Sequence, residues 1–344
     1  MSGARLALPV APPFELRLAL FGHGWIDLAP HGYDAASGRF ESVVEADGAA
    51  LDVAVTQRAG GLQVRVDAPA GAAPNASQRA AVCAALRRIL RLDHDFTPLW
   101  QRCAAEPGFE WVARRGAGRL LAGASLFEDL LKLLFTTNCS WDATRLMTRR
   151  LVDALGRRSP AGHAAFPSAA ACAAVDGRFW RDVVRVGYRE RSARRLAEQF
   201  AGGALTPAHF EERALPTDEV RRRLLAIDGF GPYAAGQALR LLGRHDDLAL
   251  DSWCRARFAK LVAPRAGKRN QKPPADRTIA RRYARFGEQR GLMLWLELTA
   301  GWHGEGPDPL PPGVNHRRRA RETPRGRLSC NAHLQGGLPS PACR

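Results

Sequence analysis

Two kinds of hydrophobic spacing divide the chain. Over the first 67 residues or so, apolar side chains alternate with polar ones, the period of a strand with one wet face. Phe14, Leu16, Leu18 and Leu20 fall on one side of such a segment, with Glu15 and Arg17 on the other. Leu51, Val53 and Val55 repeat the pattern, as do Leu62, Val64 and Val66. Asp47–Gly48 and Gly60–Gly61 are hairpin turn signals. An antiparallel sheet is predicted. Residues 68–74 (APAGAAP) read as a linker, after which Asn75 or Ser77 can cap a helix running to about Leu92.

From there the apolar spacing lengthens to three and four residues, the period of a buried helix face. It predicts helices near 125–136, 141–156, 178–185, 190–201, 217–227, 232–243, 252–263, 277–288 and 291–302, separated by short Gly, Pro or Asp breaks. After His303 the period stops, and GPDPLPPG is followed by HRRRARETPRGR. The fold class expected is therefore α+β. Residues 1–92 form an antiparallel sheet plus helix, residues 93–303 an all-helical domain, and residues 304–344 a disordered basic tail.

Charge and cysteine usage narrow the function classes. The 344 residues carry 51 Lys and Arg against 34 Asp and Glu, a net charge of +17. Such an excess points to a polyanionic partner, nucleic acid ahead of an anionic membrane surface. No run of about eighteen apolar residues exists to cross a membrane, and no basic start with a long apolar stretch marks a leader. The seven cysteines are scattered without a CxxC pair, which argues against a metal or iron–sulfur site and reads as free thiols. A monomer in the reducing cytoplasm with a nucleic-acid partner is expected.

The most informative segment is Leu224–Ala235 (LLAIDGFGPYAA). One helix ends at Ile227, Gly229 and Gly231 supply a tight turn, and Pro232 suits the first turn of the next helix. Phe230 can plug the gap between the two helices. The unpaired N–H groups at such a helix start form an anion site suited to a DNA phosphate. Twenty residues past Gly231, the apolar stretch Leu248–Leu250 leads to Asp251 at the head of another helix. Asp is a common helix N-cap, and a cap also fixes the direction of its carboxylate.

This arrangement resembles the helix–hairpin–helix DNA glycosylase superfamily, in which a Gly/Pro-rich hairpin and a trailing Asp define the active site. Residues 127–156 (FEDLLKLLFTTNCSWDATRLMTRRLVDALG) are similar to the helix pair that opens the catalytic domain of 8-oxoguanine glycosylases, and Val186–Arg189 (VGYR) to their GYR turn. Residues 278–302 resemble the last helices of bacterial 3-methyladenine glycosylases of broad specificity. The resemblance covers about residues 14–303.

The resemblance implies base-excision repair: hydrolysis of the N-glycosidic bond of a damaged purine in double-stranded DNA, alkylated purines first and oxidised ones second. Asp251 becomes the catalytic carboxylate, and Gly229, Phe230 and Gly231 the phosphate-binding hairpin. Asn138, Tyr188 and Arg189 become residues that fill the gap left by an extruded base, although Asn138 equally suits a helix cap. The bifunctional members carry a lysine where this chain has Tyr233, so an imine with the sugar is not available there. The nearest other amine in sequence, Lys132, is expected on a solvated helix face. The 8-oxoguanine members place an Arg where Ala143 stands. Gln237, one turn after Tyr233, can hydrogen-bond a flipped base, and Trp295, Trp302 and Phe286 either stack on it or pack the core. No organic cofactor or catalytic metal is implied, though the hairpin carbonyls of the family can hold a monovalent cation. Two alternatives stay open: an oxidised-purine glycosylase with or without lyase activity, and a non-catalytic DNA clamp.

Overall fold

A computed structural model describes residues 3–68, 73–262 and 274–305. The N-terminal part is a five-stranded antiparallel sheet in the order β1-β5-β4-β3-β2. Its strands are β1 (Ala4–Leu8), β2 (Gly32–Asp34), β3 (Arg39–Ala46), β4 (Ala49–Arg58) and β5 (Gly61–Asp67). The two expected hairpins are present. Asp47 and Gly48, both at positive φ (49° and 70°), close β3 onto β4 with Ala46 opposite Ala49. Arg58 pairs with Gly61 across the second turn. Leu51, Val53, Val55, Leu62, Val64 and Val66 all point into the core.

One expected strand is a helix. Leu16–Phe21 forms α1, not an alternating strand. Leu16, Ala19 and Leu20 pack into the core shared with the sheet, while Leu18 enters a second core built with C-terminal helices. A short helix wedged between two cores buries leucines on more than one side. That burial imitates strand alternation over six residues, and periodicity alone cannot separate the two.

Behind the sheet the chain is helical. After α2 (Ala76–Ile89) come α3 (Thr97–Ala104), α4 (Glu110–Arg115), α5 (Leu126–Thr136), α6 (Trp141–Leu155), α7 (Ala169–Ala173), α8 (Glu190–Ala201) and α9 (Ala208–Glu211). They are followed by α10 (Thr217–Leu225), α11 (Pro232–Leu241), α12 (Ser252–Val262), α13 (Asp276–Tyr283) and α14 (Arg290–Thr299). Asn75 caps α2 in a reciprocal box with Gln78, and Ser125, Ser140 and Ser168 cap α5, α6 and α7. Phe179–Val184, expected as an ordinary helix, winds as a π-helical turn, and the expected 277–288 helix gives way to a 3₁₀ stretch at Ala284.

Two apolar cores result. The larger runs from the sheet through α2, α5, α6, α8, α10 and α11. The smaller joins α3, α4, α12, α13 and α14. No helix among the described residues is long and apolar enough to cross a membrane. The tail expected at 304–344 lies outside the described residues apart from Gly304 and Glu305.

Candidate active site

A cleft of about 880 Å³ lies where the two cores meet, lined from α1 and the segment after it, from α5 and α6, from α11 and α12, and from α14. Asp251 is on its wall. The backbone N–H of Cys254 donates to Asp251 Oδ1 at 2.6 Å, and that of Arg255 donates to the Asp251 carbonyl at 3.1 Å, so Asp251 is the N-cap of α12. The cap fixes the direction of the carboxylate at the helix N-terminus. The loop leading to it is tightly set. Ala249 adopts φ 46° and gives its N–H to Asp247 Oδ1, while Asp247 Oδ2 pairs with Arg221.

Tyr233, Gln237, Asn138 and Trp295 line the same cleft. Burial raises the Tyr233 phenol above its ordinary pKa, with Asp251 nearby adding to the shift, so the group stays neutral. Gln237 is already bonded at both ends of its amide: Nε2 donates to the Ala249 carbonyl at 3.1 Å and Oε1 accepts from Arg240 at 3.0 Å. It braces the Asp251 loop. Arg240 is buried behind it, with its guanidinium 4.6 Å from the centre of the Trp295 ring.

Aromatic rings dominate the rest of the lining. Trp25, Trp141, Trp253, Trp295 and Trp302 are all present, five of the eight tryptophans in the chain. Trp253, Trp295 and Trp302 form a mutual cluster with centroids 5.4–5.7 Å apart. Phe286, weighed as a stacking residue, is instead buried among Phe109 and Tyr283. The segment His23–Asp27 was given no part by the sequence, yet it contributes five consecutive lining residues. A GHGW string carries no motif, and only its long-range contacts reveal it.

The hairpin residues lie outside the cleft lining. Gly229 has φ 82°, Phe230 is buried between helices as expected, and Gly231 caps α11 with no side-chain hydrogen bond. The N–H groups of that first turn are left without a side-chain cap. Tyr188 is 67% exposed and packs beside the turn after α5, where Asn138 (φ 45°) donates to its hydroxyl at 3.2 Å. Arg189 does not project with it. Its guanidinium is buried beneath the Tyr188 ring and donates to the Thr137 carbonyl, to Thr137 Oγ1 at 3.1 Å and to the Val186 carbonyl at 3.1 Å. Arg189 is a brace for the turn.

Lys132 corrects an expectation. It is fully buried, not on a solvated face, and Nζ pairs with Glu128 at 2.5 Å. His31 completes this cluster, 3.0 Å from Ser42 Oγ and 4.0 Å from Glu128. His31 and the Phe166 ring, 5.4 Å from Lys132 Nζ, cover what the helical pattern left polar. Among the described residues no lysine lines the cleft, since the other one, Lys260, is exposed about 13 Å further along α12 from Asp251. No His/Cys/Asp/Glu cluster able to hold a metal ion occurs among the described residues.

No protein-family model and no curated protein matches the sequence. Solved structures do. The 3-methyladenine DNA-glycosylase from Archaeoglobus fulgidus matches with a TM-score of 0.61 at 20% identity, over 86% of this chain and 97% of its own. MBOgg1 in complex with a low affinity DNA ligand gives 0.62 at 18% identity, over 86% and 94%. The apo form of the Clostridium acetobutylicum 8-oxoguanine glycosylase/lyase gives 0.61 at 15% identity, over 87% and 99%. At such identities the likeness is one of fold. The chain shares the fold of these DNA glycosylase structures, in keeping with the fold that the sequence resemblance implied.

Proposed function

We propose that the protein is a monofunctional DNA glycosylase that hydrolyses the N-glycosidic bond of a damaged purine, alkylated purines first, in double-stranded DNA. One observation carries the reading. Asp251 caps α12 on the wall of a tryptophan-lined cleft in which no described lysine takes part. Breaking a glycosidic bond builds positive charge on the sugar, and a fixed carboxylate stabilises that charge and orients the attacking water. Indole faces attract an electron-poor alkylated base and hold it once it has left the duplex.

Other features fit the same reaction. The open first turn of α11 offers N–H groups to a phosphate. Tyr188 and Asn138 form an exposed pair suited to the space vacated by the extruded base. A monovalent cation at the hairpin would be held by backbone carbonyls and would add positive charge beside that phosphate. The solved structures of this fold include a glycosylase/lyase, so the lyase step needs its own test. Here the phenol of Tyr233 cannot form an imine.

The test incubates the purified full-length chain with duplexes that each carry one lesion. Free base should appear and the strand should break only after hot alkali. Borohydride added during the reaction should trap no covalent adduct on a lesion that is being excised. A robust trapped band would overturn the monofunctional reading, and release of no base from any lesion would overturn the glycosylase reading itself.

A further inference from the structure

In the segment between Phe21 and Asp27, Gly22, Gly24 and Trp25 are held by residues distant in the chain. The Gly22 carbonyl accepts the Trp295 Nε1–H at 2.7 Å, and the Trp25 Nε1–H donates to Asp129 at 2.8 Å. A Cβ on Gly22 would come within 2.3 Å of the Arg119 carbonyl, and one on Gly24 within 2.8 Å of the Trp141 ring. Both glycines are needed for these close approaches. Three helices, α14, α5 and α6, thus hold a Gly-His-Gly backbone in place. Between those glycines His23 is only 6% exposed and lines the cleft, and its Nδ1 is buried with no hydrogen-bond partner. The ring stands 4.5 Å from Trp25 and 5.5 Å from Trp295 between centroids.

An unpaired buried polar atom is costly, and the fold accepts that cost in a ring it fixes on the cleft wall beside Trp25 and Trp295. Burial pushes the imidazole pKa down to about 3, with the Arg240 cation adding to the shift. The ring therefore carries one N–H and one lone pair and adds no positive charge to repel an alkylated purine. Stacking on indoles is indifferent to the edge of a base, whereas a hydrogen bond is not.

We propose that His23 is a base-recognition residue, hydrogen-bonding the polar edge of the purine held in the cleft and selecting among purines by their donors and acceptors. This rests on the glycosylase reading, and the experiment separates the two. Wild type, His23→Phe and His23→Asn are compared on duplexes carrying 3-methyladenine, 7-methylguanine, hypoxanthine or 8-oxoguanine, and on a duplex with a base-less tetrahydrofuran site. Phe keeps the ring without its nitrogens, and Asn keeps a hydrogen-bonding edge. For the lesion that wild type removes best, kcat/KM should fall about tenfold in His23→Phe and recover in part in His23→Asn. Affinity for the base-less duplex should stay within about twofold, because no base is there to be read. Equal losses on lesion and base-less duplexes, or unchanged lesion ratios in both variants, would overturn the role of His23 while leaving the glycosylase reading standing. A wild type that removes none of the four lesions would remove the basis for both. If His23→Phe does not fold, the shift in lesion ratios of His23→Asn decides alone.

Discussion

The cleft draws its surface from two parts of the chain that are held in different ways. Tyr233, Gln237 and Asp251 come from a stretch of nineteen residues and are set by local devices: a proline opening α11, a side chain capping α12, an amide bracing the loop between them. His23, Trp25 and Asp27 come from some two hundred residues earlier and are set by contacts with Trp295, Asp129 and Trp141, each distant in sequence. A cap is worth about 1 kcal/mol and survives many changes around it. A backbone pressed against an indole survives almost none. The Asp251 carboxylate thus sits on the tolerant side of the cleft and the packed aromatic wall on the demanding side.

Asp251→Asn should break the first side most cleanly. Asn caps a helix about as well as Asp, so the melting temperature should stay within about 2 °C. Single-turnover excision should fall by about 10³-fold or more, because the lost charge acts on the transition state alone. Binding of lesion duplex should be nearly unchanged in a gel-shift titration. An Asn variant that excises at close to the wild-type rate would show that the carboxylate is not the reacting group.

The same division explains what could be read from the sequence. The hairpin, the helix start at Pro232 and the Asp at the head of α12 are short-range features, and spacing alone located all of them. The buried position of Phe230 followed from its place between two glycines. Leu16–Phe21 was misread as a strand because its leucines serve two cores at once. Lys132 reads as solvated in the sequence because His31 and Phe166, which cover it and Glu128, come from other parts of the chain and cannot be seen in a helical pattern. Arg189 kept its place in the turn, but the inward aim of its guanidinium depends on the Thr137 carbonyl some fifty residues earlier. The His23–Asp27 wall has no local signal at all.

Beneath that wall, the buried Lys132–Glu128 pair offers a sharper contrast with the cleft. Lys132→Met removes one partner and leaves a carboxylate uncompensated beside His31, which should cost about 3 kcal/mol in urea denaturation. Adding Glu128→Gln should restore much of that loss, since a buried pair is worth little against neutral replacements. Excision by the folded protein should be unaffected in both variants. A loss of excision confined to Lys132→Met, with stability intact, would mean that this amine reaches the sugar after all.

The smallest effect separates the two hairpin glycines, which the sequence treats alike. Gly229 has φ 82°, and a Cβ there would lie 2.8 Å from Leu134 and from Ser192, so Gly229→Ala should cost about 2 kcal/mol in stability. Gly231 has φ −98° and ψ −173°, a conformation open to any residue, and nothing lies within 4 Å of a Cβ built on it. Gly231→Ala should therefore leave stability within about 0.5 kcal/mol of wild type. The fold does not need a glycine at 231, so any requirement must come from outside the protein. If the N–H groups of the α11 first turn hold a phosphate, an added methyl crowds the approach of the backbone and should weaken duplex affinity by about threefold. The loss should be the same for damaged and undamaged DNA, since a phosphate carries no information about the base. A Gly231→Ala protein that binds both duplexes as tightly as wild type would place the phosphate contact elsewhere and leave the hairpin a purely structural turn.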